Sequence, residues 1–267
     1  MHEVLIRNPQ GFPEGLTSII KMDDPAGMNF SCLRLHQGEH YEIKPSLESV
    51  HLLMVGKIIF SFPHQSKIVE RTGYFEENPI ALHCDAHTKA HLEALTDCEV
   101  LIIETQNNET FEPILFEKNN LLEVHHRGKN LLEDTSYRIV RTIFDKRNRQ
   151  KSNLVLGEII TFQGGWSSFP SHHHPQSEIY HYRFSEPQGF AFGENGEEAL
   201  KIRHYDTYKI ASGKTHAHAT SPGYALYTLW FIRHLPENPY HVPTFSSEHE
   251  WLREESANKR AWKIFAE

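Results

Sequence analysis

The sequence predicts an all-β protein built from two similar β-barrel halves. Three observations carry this expectation. Short runs with period-2 alternation recur along the 267 residues, separated by turn residues roughly every 8–12 positions, the rhythm of barrels and sandwiches. Helix signals are weak throughout. A faint internal repeat relates the halves. Leu33-Arg34-Leu35-His36-Gln37-Gly38-Glu39 leads to Ser49-Val50-His51-Leu52-Leu53 in the first. Ile159-Ile160-Thr161-Phe162-Gln163-Gly164-Gly165 leads to Ser177-Glu178-Ile179-Tyr180-His181-Tyr182 in the second.

The elements follow in chain order. Residues 30–35 alternate apolar and polar. Residues 51–55 run into Gly56-Lys57 and then 58–62, which reads as a tight hairpin. Residues 90–95 and 100–103 add two strands. Residues 104–153 are polar, with Gln106-Asn107-Asn108 and a charged run from Asp145 to Lys151. We place the inter-domain connection there, with domains at 1–120 and 121–267. Within it, 137–144 has β-type composition and is expected to pair with one of the barrels. Strands are then expected at 154–162, 179–184, 190–192, 200–204, 207–210 and 224–232. The best helix signal is 247–257, where Ser247 can cap and Glu248 and Glu250 suit the N-terminal dipole.

Composition bounds the function. The net charge is −8, which argues against a nucleic-acid scaffold and an anionic membrane surface. No apolar run approaches the ~18 residues of a membrane span. The start Met1-His2-Glu3-Val4 lacks the basic and apolar regions of a signal peptide. Cys32, Cys84 and Cys98 are odd in number and widely spaced, which points to a reducing cytoplasmic setting without disulfides.

Twenty histidines are a high count, and placement decides their meaning. The strongest local feature is Ser171-His172-His173-His174-Pro175-Gln176-Ser177-Glu178-Ile179-Tyr180. On an extended chain His172 and His174 point to one side and His173 to the other. Glu178, at the start of the next strand, has the same parity. Two imidazoles and a carboxylate on one face suit a divalent metal, and a fourth ligand must come from elsewhere. His216 supplies it, with His218 a rival on the same parity. Zinc, manganese and iron(II) all suit these donors, with zinc or manganese the expected cofactor. A second cluster, Cys84 with His83 and His87, has loose spacing and no nearby fourth ligand. Trp166 reads as rim packing, Asp206 as a turn residue, and His125-His126 as surface. Tyr224, Tyr227, Trp230 and Phe231 read as core or inter-barrel packing.

This H-x-H-x₃-E…H arrangement is that of the cupin superfamily, and the flanking segments resemble the 5-deoxy-glucuronate isomerase family more closely. Gly164-Gly165-Trp166-Ser167-Ser168-Phe169-Pro170-Ser171-His172-His173-His174 looks like that family's NWSSYPPHKH segment. Glu178-Ile179-Tyr180-His181-Tyr182-Arg183, Pro187-Gln188-Gly189-Phe190 and Pro222-Gly223-Tyr224-Ala225-Leu226-Tyr227 match further motifs in order. His216 stands six residues before Pro222, where the family has a histidine. His126-Arg127-Gly128-Lys129-Asn130 and His249-Glu250-Trp251-Leu252 extend the likeness from about residue 30 to 252.

The resemblance implies a bicupin fold, a metal held by His172, His174, Glu178 and His216 in the second barrel only, and an aldose–ketose isomerase of a deoxy sugar acid. Lys44-Pro45-Ser46-Leu47 stands where the first half would need its H-x-H. Tyr182, His181 and His218 are candidate bases for the carbon-bound proton. Alternation turns Tyr180 and Tyr182 inward with Glu178, and His181 and Arg183 outward. Arg183, Lys209 and Arg203 are the nearby cations for a substrate carboxylate; Arg183 is named with Tyr182 and His218 as catalytic, although its parity favours an interface role. The expected partner is a small sugar acid, without nucleic acid or membrane, in a homodimer through exposed sheet edges. An iron oxygenase using the same cage, an isomerase of a different uronate and a non-catalytic sugar-acid sensor are the competing readings.

Overall fold

A computed structural model of the chain describes residues 3–262. Residues 1–2, part of the start read for a signal peptide, and the last five residues of the 121–267 segment lie outside them. The strands form three sheets. One has seven strands in the order Leu5–Ile6, Thr207–Ile210, Glu178–Phe184, Leu226–Arg233, Leu154–Thr161, Arg138–Phe144 and His125–Arg127. A five-stranded sheet from the same half runs Glu198–Arg203, Phe190–Asn195, His216–Thr220, Trp166–His173 and Thr244–Phe245. A nine-stranded sheet collects strands between residues 15 and 116. The chain is all-β as expected, but no sheet closes into a barrel. Among the described residues no helix is long and apolar enough to cross a membrane.

Residues 137–144, read as β-type, form Arg138–Phe144 and pair with Leu154–Thr161. Two local expectations are corrected. The hairpin at Gly56-Lys57 is one continuous 15-residue strand, Glu48–Phe62. Gly56, at φ +112°, bends this strand without reversing it, and a Cβ there would lie 2.6 Å from the Cβ of Cys98. The true reversal comes at Pro63-His64, where Phe62 pairs with Gln65. The second correction is the helix at 247–257. It is a 3₁₀ segment, Ser247–Arg253, followed by the short α-helix Ala257–Arg260, and no side chain caps either. Its apolar residues Trp251 and Leu252 are adjacent, so no stripe at helical spacing holds a longer α-helix against the core.

Apolar side chains gather in three places. One cluster fills the first half, with Leu33, Leu53, Phe60, Leu92 and Val100. A second lies between the two sheets of the second half, with Val155, Tyr180, Tyr182, Ala191, Ile202 and Ile232. The third joins the halves: Met28, Phe30, Leu52 and Leu101 pack against Phe144, Leu156, Ile179, Tyr227 and Phe231. The strand Glu178–Phe184 is buried on both faces. Glu178, Tyr180 and Tyr182 look into the second half, while Ile179, His181 and Arg183 look toward the first. Buried ion pairs reinforce this junction. The Arg71 guanidinium donates two hydrogen bonds of 2.8 Å to the two carboxylate oxygens of Glu158, and both side chains are fully buried. The N-terminal strand Leu5–Ile6 lies on the edge of the second half's sheet, against Thr207 and Tyr208.

Candidate metal centre and cavity

Three strand ends converge. His172 lies near the end of Trp166–His173 and is buried, His173 faces the other way, and His174 follows, buried again. A bulge between Ser167 and His172 shifts the register, so that His172 stands opposite His216. Pro175, Gln176 and Ser177 turn the chain back, and Glu178 opens the next strand. The period-2 parity of His172, His174 and Glu178 thus becomes a shared position. Ring centroids of His172 and His216 are 4.4 Å apart, and those of His174 and His216 5.3 Å. The Nε2 atoms of His174 and His216 each lie 3.1 Å from Glu178 Oε2. The ligand atoms of His174, Glu178 and His216 fall within 4.8 Å of one another, and the ring of His172 stands beside that of His216.

All three imidazoles are oriented the same way. Nδ1 of His172, His174 and His216 donates to the carbonyl of Pro170, Gln176 and Lys214, at 3.0, 2.9 and 3.0 Å. A carbonyl only accepts, so each Nδ1 carries a hydrogen, and in the neutral ring each Nε2 keeps its lone pair. His216 Nε2 is buried without a hydrogen-bond partner. Two ring nitrogens against one carboxylate oxygen need a proton or a metal cation between them. Burial opposes charge on both members of the His174–Glu178 pair, yet each favours the other's ionised form. His174 is raised above its ordinary value, and Glu178 is held down to about 2. Burial brings His172 down to about 3, with His216 adding to the effect. Three imidazoles, each held through Nδ1 by a carbonyl, and one carboxylate oxygen fit a divalent metal, which would take the place of the proton that His174 favours here.

A cavity of about 800 Å³ opens beside this group. His172, Glu178 and Tyr180 form its inner end. Its walls include Arg127 and Arg138 from one edge of the sheet, and Tyr240, Phe245 and Arg253 from the C-terminal segment. Tyr180 Oη is 2.8 Å from Ser168 Oγ, and both residues line the cavity. Burial raises the Tyr180 phenol well above its ordinary value, so it keeps its proton at neutral pH. The Phe245 ring packs against His172 at 5.5 Å, and the Tyr240 ring against His174 at 5.0 Å.

The structure separates the expected catalytic residues. Tyr182 and His218 lie behind Tyr180, each 5.5–6.0 Å from it between ring centroids, and neither lines the cavity. Burial brings His218 down to about 3, a neutral imidazole at pH 7. Of the two parity-matched histidines, His216 meets Glu178, and His218 is packed between Tyr180 and Tyr182. Arg183 is corrected as a cavity residue. The pleat turns it to the other face, where Nη2 donates to Glu99 Oε1 at 2.6 Å in the first half. Lys209 pairs with Asp24, and Arg203 does not line the cavity. His83, of the Cys84 cluster, is buried against Glu48 at 2.8 Å and stacks on Phe144. Trp166 packs on Phe169. The sequence reading missed Arg127, Arg138, Tyr240 and Arg253 as cavity residues. Only the motifs around residues 126–130 and 249–252 pointed near them. A second cluster of possible ligands, His40, His91 and Glu93, lies on the surface of the first half.

Comparison with known proteins adds the following. The profile of the KduI/IolB family matches residues 5–252. The chain is similar to proteins named 5-deoxy-glucuronate isomerase. That of Lacticaseibacillus casei is 24% identical over 229 residues, covering 79% of this chain and 82% of the relative. That of Bacillus licheniformis is 24% identical over 278 residues, covering 94% and 98%. Among solved structures, an IolB-like protein from Salmonella typhimurium LT2 superposes with a TM-score of 0.83 at 22% identity, over 95% of this chain and all of that one. Oxalate decarboxylase from Lactobacillus farciminis, in a formate complex, gives 0.64 at 14% identity, over 89% and 86%. These likenesses place the fold among cupins.

Proposed function

Because the chain belongs to the KduI/IolB family, we propose that it is an aldose–ketose isomerase, an intramolecular oxidoreductase, acting on a deoxy sugar acid with a divalent metal. The substrate we assign is 5-deoxy-glucuronate, converted to 5-dehydro-2-deoxy-gluconate. The observation that carries the reading is the meeting of the His174 and His216 Nε2 atoms at the Glu178 carboxylate, with the His172 ring beside them, against the cavity of a chain of this family. The names of the relatives support the substrate. We read residues 1–120 and 121–267 as two cupin units, the first without metal; the separate apolar interiors of the halves support this.

His172, His174, Glu178 and His216 would hold the metal, zinc or manganese first. Bound there, it would supply Lewis acidity to the sugar carbonyl. The chain's own groups would serve the proton that moves between oxygens. Isomerisation through an enediol moves one proton between carbons and one between oxygens. The Tyr180 and Ser168 hydroxyls form a two-member relay beside Glu178, suited to passing the proton between neighbouring sugar oxygens. Burial keeps Tyr180 a donor. His218 and Tyr182 pack behind the Tyr180 ring and fix its position. Tyr240 and Phe245 wall the inner end and exclude water there.

The test joins metal content to turnover. Protein purified without a polyhistidine tag is assayed by elemental analysis, and 5-deoxy-glucuronate conversion is followed by NMR in deuterated water. About one metal per chain, lost in His172→Ala and Glu178→Gln together with turnover, is the expected result. Metal without turnover would redirect the search to other uronates. Oxygen consumption in place of isomerisation would favour the oxygenase. A protein that neither holds metal nor gains activity with added zinc, manganese or iron would overturn the proposal.

A further inference from the structure

Arg127 and Arg138 are Cα partners directly opposite each other in the antiparallel pair His125–Arg127 and Arg138–Phe144. Directly opposed residues share a face, and like charges in this position destabilise a sheet. Both line the cavity that contains Glu178. Among the described residues neither has a carboxylate within ion-pair distance, whereas the three buried arginines, Arg71, Arg141 and Arg183, each have one. The cavity's own lining carboxylates are Glu178, engaged by two imidazoles, and Glu250, which faces Arg253 at 3.8 Å.

Arg138 is the better placed of the two. Nη1 donates to the Ser136 carbonyl at 2.8 Å and Nη2 to the Phe169 carbonyl at 2.9 Å. These bonds fix the guanidinium plane and use two of its five N–H donors. Phe169 lies on the strand that carries His172, so the anchor of the arginine and the metal ligand share one element. Burial, with Arg127 opposite, lowers the guanidinium to about 10, and it remains a cation at neutral pH. A pre-oriented cation at a cavity wall, with like charge opposite and no internal counter-ion, is a site for an external anion. A planar carboxylate matches the remaining donors.

We propose that Arg138, assisted by the more exposed Arg127, is the subsite that binds the carboxylate of the sugar acid, and that it selects acids over neutral sugars. The identity of that acid rests on the isomerase reading; the subsite itself does not. Its position fixes the substrate end to end, with the carboxylate at the arginines and the reacting carbonyl toward Glu178 and Tyr180.

Two non-reacting probes, D-glucuronate and D-glucose, would be titrated calorimetrically into metal-loaded protein. The wild type, Arg138→Lys and Arg138→Gln are compared, with metal content and thermal unfolding as controls. Arg138→Gln should weaken glucuronate binding on the order of tenfold to a hundredfold, with glucose unchanged. Arg138→Lys should recover part of the loss, because the charge remains and the fork does not. With 5-deoxy-glucuronate the loss should fall mainly on KM. Equal losses for acid and neutral probe, unchanged glucuronate binding in Arg138→Gln, or no glucuronate binding by the wild type would each overturn the subsite. If 5-deoxy-glucuronate is not turned over while glucuronate binding still depends on Arg138, the isomerase reading fails and the subsite stands. Turnover with no dependence on Arg138 gives the reverse.

Discussion

Tyr180 and His172 show how one residue's surroundings set its chemistry. Tyr180 reaches the cavity with a phenol that burial keeps protonated and that shares a hydrogen bond with Ser168. Tyr180→Phe should therefore retain metal and fold, and lose about 10²–10⁴ in kcat, the usual worth of a positioned proton donor. Elemental analysis beside steady-state kinetics reads both effects. Tyr182→Phe, by contrast, removes a buried hydroxyl that has no hydrogen-bond partner. It should leave kcat within a few-fold and should not lower stability, because no bond is lost and an unsatisfied polar group is removed. The pair separates a hydroxyl on a cavity-lining residue from one that only packs behind it. The shared parity of His172, His174 and Glu178 was legible in the sequence because it is local, a period-2 pattern across one turn. The arginines and Tyr240 were not, because their approach depends on pairing between segments far apart in the chain.

The strand Glu178–Phe184 serves two interiors at once. Its even positions face the interior of the second half, and its odd positions hold the halves together. Alternation alone placed His181 and Arg183 on the outward face. That face, however, meets the other half of the protein and not solvent, which no single-strand pattern can reveal. The strands expected after residue 150 were read within a few residues, because each has its own alternating or apolar run; Trp166–His173, His216–Thr220 and Thr244–Phe245 were not, because they lack such a run. The bend at Gly56 was misread because a glycine at left-handed φ serves a bend as well as a turn. What decides is the close approach of Asp97 and Cys98, a contact distant in sequence. The junction also carries a stability prediction. Arg71→Met leaves Glu158 buried with only the longer contact to Arg141, at 3.7 Å, and a bond from Tyr227. Denaturant unfolding should show a loss of about 3–5 kcal/mol, and adding Glu158→Leu should recover much of it, since the uncompensated charge is then gone.

Across the whole molecule, buried histidines make stability depend on acid. Burial brings His51 down to about 3, and His204 and His234 to about 4. His181 is also well below its ordinary value. In the unfolded chain each titrates near 6.5, so the unfolded state binds more protons between that value and the folded ones. Stability from these groups is complete above about pH 6.5 and falls as pH drops toward about 4. Urea midpoints of metal-free protein should decrease through pH 7, 6 and 5, with a net proton uptake on unfolding of more than one. A flat profile over that range would contradict the burial assigned to these residues.

The short strand Leu5–Ile6 has a consequence in time. It is made early in synthesis, yet its pairing partners lie about two hundred residues later, and Arg7 from the same segment meets Asp206 across 199 positions. Such a distant closure belongs among the slow steps of folding. The segment must therefore wait, unpaired, until the second half exists, and then seals the edge of a sheet it did not help to start. Pulse-labelled hydrogen exchange during refolding should find residues 5–6 among the last to be protected. Until then, the edge at Thr207–Ile210 is open to strands from other chains.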